Sequence, residues 1–515
     1  MAERQEFGLP DRFPGSAGDA IPGAWVSVPV FVTALLQVTL LARVLLAYTR
    51  PPMTPDAGVF QQIGWYIAHG GRLYVDTWDP KPPLPFETTA ALALVSGGNV
   101  YVHHLLSVAL MVLVACGIVA LVCLLCFDLT GDRYASALAG LSMLLLPGFF
   151  VRPVYGFKAK YPLLLAGLLA VYLYRRDRPA LAGAAAAASV GYWQGALVFP
   201  CIVVGLAART RDPRQVTRVV AGGVGFAALV VLPVVVLWRS VPEMIVQAVI
   251  VPLALPEEAS LLEHVYGGVI HFKWASPLVL VGAWGLADRA LDLYRRDLGP
   301  VVREDWWVVV GGAWFGLLVL FVDFEIGGYT DLIPGLAFVA LGVGMAAARL
   351  SGDRSRRVLS AALVGVLLVN VVGLGSMGLV FSPVETPGPV AMDELRTNER
   401  AVESPYVPDD TPDVRYLYWT GREPETCHYR LSLMEARWLR MTNGGPSEGC
   451  SDLGTALSAL RDRGDRGTDA VSTPIATAYR NGPERSVRVR PPRDNHARHE
   501  RHWPTATAGG GGNGR

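Results

Sequence analysis

The stretch Asp56 to Pro85, DAGVFQQIGWYIAHGGRLYVDTWDPKPPLP, decides how the chain is read. It sets Asp56, Asp76, Asp79 and Lys81 among aromatic residues, between two strongly apolar regions. A charged segment in that setting belongs on a loop outside a bilayer core. Loops carry function out of proportion to their length, although a solvated polar loop with ordinary Asp-Pro and Pro-Pro turns needs none. The chain of 515 residues is 52% hydrophobic and 17% charged. It is too apolar and too long for one soluble core and has the composition of a polytopic membrane protein. A net charge of +1 gives no reason to expect a nucleic-acid partner.

Upstream of this stretch, Val26 to Ala47 is an apolar run long enough, at about 1.5 Å per residue, to cross ~30 Å of hydrocarbon. Residues 1–25 are polar and rich in Gly and Pro and read as a cytoplasmic tail. Within the stretch, Val59 to His69 has the spacing of a helix lying in the interface. Pro82 to Gly97 is apolar, but short and interrupted by Glu87, so it is not counted as a crossing.

Downstream, apolar runs follow at His104–Phe127, Tyr134–Val151, Tyr161–Tyr174, Pro179–Tyr192, Gly195–Ala208, Val216–Trp238, Trp274–Ala287, Trp306–Val322, Leu332–Ala348 and Val358–Phe381. With the first span they predict an all-α polytopic membrane protein of about eleven transmembrane helices over residues 26–381. Arginine clusters at Tyr174–Arg178, Arg209–Arg218, Asp288–Arg303 and Arg349–Arg357 fall on alternate connections. The excess of basic residues in cytoplasmic loops puts these four inside. Residues 48–103, Arg152–Lys160, the turn at Trp193, Arg239–Lys273 and Asp323–Asp331 are then outside. Counting Pro82–Gly97 as a span would invert every later loop and turn the arginines outward.

Residues 382–463 have mixed charge and aromatics and are expected to form a small extracytoplasmic C-terminal module. From 464 the composition turns to Arg, Pro, Gly and Thr, the signature of a disordered tail. Cys116, Cys123, Cys126 and Cys201 lie in apolar runs and read as packing residues. Cys427 and Cys450 lie outside the spans and allow one disulfide if that module is exported. His496, His499 and His502 fall in the tail and read as solvated.

The order of features in the opening stretch is Asp56, then a helix, then Gly71-Arg72-Leu73-Tyr74-Val75-Asp76, then Asp79-Pro80-Lys81-Pro82-Pro83-Leu84. This order resembles the first outer loop of the polyprenyl-phosphate-sugar glycosyltransferases of GT-C fold. Within that superfamily the motif loop, the span pattern and the polar C-terminal part are most similar to archaeal dolichol-phosphate-mannose mannosyltransferases. The resemblance implies a sugar, mannose, passed from dolichyl phosphate to a lipid-linked or protein-linked glycan acceptor outside the membrane, in N-glycosylation of surface-layer glycoprotein.

Such a transfer needs a base for the acceptor hydroxyl and positive groups for the departing lipid phosphate. The resemblance puts the base at Asp56, with Asp76 and Asp79 as orienting helpers. Only four of the 45 basic residues are lysines, and all four lie in polar segments. Lys81, the second-loop residues Arg152, Tyr155, Lys158 and Lys160, and His271 with Lys273 are the candidates for the donor phosphate, against the alternative that they meet lipid headgroups.

Many relatives have an acidic residue where this chain has Ala57, and a histidine where it has Lys81. Relatives that use a divalent cation place an acid in the second outer loop, where this chain is basic. No cofactor is therefore expected, and a cation site is disfavoured for want of hard oxygen ligands. The alternative functions are a transporter or flippase of lipid-linked sugars, which would bury ionisable groups near mid-membrane, and a membrane scaffold for the exported module.

Overall fold

The structure, a computed structural model, describes residues 23–254, 261–295, 305–321, 329–350, 352–377, 413–424 and 438. All belong to the unit Met1–Asp465. The expected N-terminal tail up to residue 22, the Cys427–Cys450 pair, most of the 382–463 module and the tail from 464 lie outside the described residues.

Among the described residues the regular structure is helical. The first six helices are α1 (Ala24–Ala47), α2 (Pro55–Ala68), α3 (Leu84–Val95), α4 (Val100–Thr130), α5 (Arg133–Ser142) and α6 (Pro147–Val151). The next six are α7 (Lys160–Arg175), α8 (Pro179–Tyr192), α9 (Val198–Arg209), α10 (Pro213–Pro233), α11 (Val241–Ile245) and α12 (Val251–Ala254). The last six are α13 (Leu261–Phe272), α14 (Ser276–Arg295), α15 (Trp306–Phe321), α16 (Ile333–Arg349), α17 (Asp353–Met377) and α18 (Val414–Thr420).

Five helical segments among the described residues are long and apolar enough to cross a membrane. They are Ala24–Ala47, Val100–Thr130, Pro213–Trp238, His264–Tyr294 and Thr330–Arg349. A sixth appears if the bent pair Arg133–Leu145 and Pro147–Tyr155 is one span. Several of the expected crossings are short: α7, α8 and α15 have 16, 14 and 16 residues.

The run Tyr134–Val151 is not the single straight span the sequence suggests, because the chain turns by 85° before Pro147. Pro147 has no N–H to continue the ladder and suits the first turn of a new helix instead. α3, at 12 residues about 18 Å long, is too short to cross and packs on α2, where the Thr89 hydroxyl donates to the Phe60 carbonyl at 2.8 Å.

Close helix packing fixes the frame. Gly282 and Gly285 on α14 face Gly342 on α16 so closely that a methyl group at any of them would lie 2.1–2.4 Å from a facing carbonyl oxygen. Small residues that bring backbones together are the usual device of helix association where no water drives it.

The frame also has two chemically different ends. α7 starts at Lys160 and finishes at Arg175, and α16 follows Asp331 and finishes at Arg349. Arg175 and Arg176 reach Asp128 near the end of α4, both at 3.5 Å, and Arg356 reaches Asp132 at 2.7 Å. Asp128 is 24 residues beyond His104 on the same helix, about 36 Å away at 1.5 Å per residue. Arg349 pairs with Asp288 and Asp292. Among the described residues, three arginine-rich connections are thus seen tied by ion pairs, two of them at the end of α4 remote from His104.

Candidate active site

α2 begins at a cap the sequence spells out: the Thr54 hydroxyl accepts from the Ala57 N–H at 3.3 Å, and Pro55 takes the first helical position. The helix therefore starts four residues before the expected Val59, and Asp56 lies in its first turn rather than on a loop. The positive end of the helix favours a carboxylate there.

Asp56 pairs with Lys158, which stands in the connection between Tyr155 and α7. The pair is lopsided: the lysine side chain is 12% exposed and the carboxylate 40%. Lys160, two residues on, pairs with Asp331 in the turn Tyr329–Leu332, with the two side chains 9% and 10% exposed. Its ammonium also sits 4.3 Å over the Trp193 ring, a cation–π contact from the turn after α8.

Arg152 is buried; its Nη1 donates to the Gly156 carbonyl at 3.3 Å, and its Nη2 has no hydrogen-bond partner among the described residues. Burial pushes the Lys158 ammonium below the usual lysine value, Asp56 and Asp331 pull it back up, and Arg152 and Lys160 push it further down. Among the described residues, three cations and two carboxylates thus share one field around Lys158.

The connections that sequence bookkeeping put on one side therefore do meet. Residues from the first stretch, the second loop, the Trp193 turn and the Asp331 turn form one cluster. α13, whose last turn holds the buried His271, packs against the Tyr329–Leu332 turn. Lys273 lies just beyond, at the break before α14, with a left-handed φ of 38°. Tyr155 is buried within the same core as Phe157 and Tyr161.

Asp76 and Asp79 have a different situation. Asp76 accepts from the backbone N–H of Arg72 at 2.8 Å and pairs with its guanidinium at 3.1 Å on the surface. The Asp79 side chain is 4% exposed; it accepts from the Lys81 N–H at 3.1 Å and lies 3.5 Å from the Lys81 ammonium. Lys81 in turn sits 5.5 Å over the Phe60 ring, and Phe60 packs edge-on against Phe157.

This loop is pinned by two glutamines from elsewhere. Gln247 donates to the Tyr74 carbonyl at 2.8 Å and accepts from the Asp79 N–H at 3.0 Å, while Gln194 donates to the Pro80 carbonyl at 2.6 Å. Tyr74 is fully buried with a left-handed φ of 68°, and its hydroxyl donates to the Lys81 carbonyl at 2.7 Å. Burial, then Asp79 and Glu87, pushes this phenol well above its usual value, so it stays a donor.

Asp331, Gln61, Gln194 and Gln247 were not foreseen as site residues. Gln61 reads as the polar face of an interfacial helix, yet it is fully buried.

A dolichol phosphate-mannose mannosyltransferase of Haloferax volcanii is 32% identical over 441 residues, covering 81% of this chain and 94% of that protein. The chain belongs to the dolichol phosphate-mannose mannosyltransferases. It is a glycosyltransferase that uses a polyprenyl-phosphate sugar. The family model for DolP-mannose mannosyltransferases matches residues 70–232, which include Asp76, Asp79, Lys158 and Lys160.

Among solved structures, ArnT from Cupriavidus metallidurans bound to undecaprenyl phosphate aligns at a TM-score of 0.46 and 16% identity, over 85% of this chain and 74% of that one. The Archaeoglobus fulgidus oligosaccharyltransferase tethered with an acceptor peptide aligns at 0.48 and 14% identity, over 68% of this chain and 55% of that one.

Proposed function

We propose that this mannosyltransferase moves mannose from dolichyl phosphate to a glycan acceptor at the extracytoplasmic face, in N-glycosylation of surface-layer glycoprotein, with Asp56 as the general base and the lysine cluster as the donor phosphate site. The GT-C fold, the crossing count near eleven and the outward placement of the C-terminal segment belong to the same proposal. The observation that carries it is the pairing of half-open Asp56 with buried Lys158 beside Arg152, Lys160 and Asp331.

A carboxylate 40% exposed can meet an acceptor hydroxyl while the buried ammonium beside it faces the donor. As the acceptor oxygen attacks the anomeric carbon, its proton passes to Asp56 and the carbon–oxygen bond to phosphate breaks. The departing phosphate gains one negative charge in that step. Lys158, Lys160 and the unused Nη2 of Arg152 lie in the same cluster and are fixed before the charge develops, which is where electrostatic stabilisation is strongest. Asp76 and Asp79 shape the loop, and Lys81, His271 and Lys273 are further candidates to meet the donor phosphate.

The donor set argues for lysines in place of a cation cofactor. Asp56 and Asp331 are each matched by an ammonium group. The sidedness rests on the arginine connections, three of which are tied by ion pairs among the described residues.

The test uses purified protein, labelled dolichyl-phosphate mannose and a lipid-linked glycan acceptor. Transfer is expected, with Lys158→Ala and Lys160→Ala raising the KM for donor and leaving that for acceptor near wild type. Movement of the donor across a bilayer without transfer would overturn the proposal in favour of a flippase.

A further inference from the structure

The short helix α18 comes from the C-terminal part of the chain and packs on α2, with Tyr418 in a cluster with Met53, Ala57, Trp65 and Ala93. Its polar contacts run directly to the connection that carries Lys158. The fully buried Gln61 is the link. Its side-chain Oε1 accepts from the Phe157 N–H at 3.3 Å, and its Nε2 donates to His104 Nδ1 at 3.2 Å and to the Tyr418 hydroxyl at 3.0 Å. The Tyr418 hydroxyl donates onward to the Val100 carbonyl at 2.7 Å.

Every hydrogen-bonding position in this chain has one direction only. The amide nitrogen of Gln61 can only donate, so His104 Nδ1 is the acceptor and its ring proton is on the other nitrogen. Flipping the amide would face its NH₂ against the Phe157 N–H. Burial pushes the Tyr418 phenol up, against the weaker opposite pull of Gln61, so the hydroxyl keeps its proton and donates.

The target of this chain is a single peptide unit. The Gly156 carbonyl and the Phe157 N–H belong to the same plane; Arg152 holds the first and Gln61 the second. Gly156 has a φ of 104°, and a methyl group there would lie 2.4 Å from Gln61 Oε1 and 2.9 Å from Ala57 Cβ. With that plane held from both sides, the direction in which the chain leaves toward Lys158 is set.

We propose that α18 is a working part of the active site, with Tyr418 and Gln61 as positioning residues that hold the Lys158 backbone so that its ammonium meets Asp56. The inference rests on the reading of Lys158 as a donor-phosphate group. The polar C-terminal part is then required for donor use and is not an independent module attached to a complete enzyme.

The experiment compares Tyr418→Phe with Val414→Ala in the full-length protein. Tyr418→Phe keeps the ring that packs on His103 and Trp419 and removes only the hydroxyl. It is expected to raise the donor KM about fivefold, the effect of losing its bond from Gln61 at ordinary strength, since the second lost bond, to the Val100 carbonyl, leads away from Lys158, with the acceptor KM unchanged. Val414→Ala trims buried packing on the same helix without touching the chain of hydrogen bonds. It should lower thermal stability and leave the donor KM at the wild-type value. A wild-type donor KM in Tyr418→Phe, or an equal rise in Val414→Ala, overturns the proposal. Lys158→Ala separates the two levels: if it raises the donor KM and Tyr418→Phe does not, only the relay fails; if it leaves the donor KM alone, the phosphate reading fails first.

Discussion

Replacing Asp56 by Asn tests the proposed base directly. Asn fits the same space and keeps one acceptor oxygen, but it cannot take a proton, so a general base should lose about 10²- to 10⁴-fold in rate. The structural cost can be bounded separately. Surface ion pairs contribute ~0–1 kcal/mol, and breaking a fully buried pair costs ~3–5 kcal/mol. This pair lies between, with Asp56 40% and Lys158 12% exposed. Lys158 also keeps the favourable field of Asp331, which supports a cost of about 1–2 kcal/mol. The variant should therefore fold and insert while losing transfer. The assay is labelled mannose transfer at saturating donor and acceptor, at matched membrane expression and with matched gel-filtration profiles. Retention of more than about a tenth of the wild-type rate would refute the base assignment. The next candidates would be Asp79, buried against Lys81, and then Asp76, on the surface with Arg72. If all three asparagine variants transfer, carboxylate base catalysis from this stretch is wrong.

Burial lowers the Lys158 ammonium below the ordinary 10.5, and the group is charged only below its own pKa. Donor use should therefore fall on the alkaline side earlier than for a solvent-exposed lysine; a pH profile of kcat/KM for donor with no decline until the usual lysine range would disagree. Gly156→Ala puts a methyl group 2.4 Å from Gln61 Oε1 at a φ of 104°, and should cost ~1–3 kcal/mol of backbone strain with a lowered Tm and impaired transfer; a wild-type Tm would contradict the close approach. Transfer should survive EDTA, because each clustered carboxylate has an ammonium partner; complete loss restored by Mg²⁺ or Mn²⁺ would make those carboxylates metal ligands. Single-cysteine labelling at Arg178 and at Arg422 should report opposite sides of the membrane, and labelling from the same side would undo the topology.

The two ends of the molecule were legible because each has its own local signature. Arginines recur on alternate connections between apolar runs, and their positions alone separate the connections into two groups. The structure draws Trp193, Asp331 and the second loop to one place, as that grouping requires. The helix within Pro82–Gly97 is short, as its interruption by Glu87 suggests, but α9 at 12 residues and α8 at 14 are short too, so length alone does not set it apart from the runs counted as spans. The 85° turn before Pro147 was missed because an unbroken apolar run outweighed a proline whose position at a helix start depends on what packs around it. The start of α2 is written in the order Thr54-Pro55-Asp56, a cap signal to which apolar spacing is blind.

Pairings across long stretches of sequence leave no such trace. Nothing near Asp331 says that its partner is Lys160, and nothing near Tyr418 says that it completes the hydrogen bonds of Gln61. What the sequence did carry was an asymmetry between the two basic residue types. An arginine-rich composition makes each lysine an exception, and Lys81, Lys158 and Lys160 all meet carboxylates in the converging loops, whereas the ion pairs at the remote end of α4 are made by arginine. The difference has a physical basis. A guanidinium fork binds carboxylates rigidly and suits fixed ties between helices, while an ammonium on a flexible stem is a compact charge that can turn its three donors from one oxygen to another. In the site Lys158 and Lys160 are compact charges already placed against carboxylates, with Arg152 held on the Gly156 carbonyl beside them, while the arginine pairs with Asp128 and Asp132 tie the frame at the other end of α4.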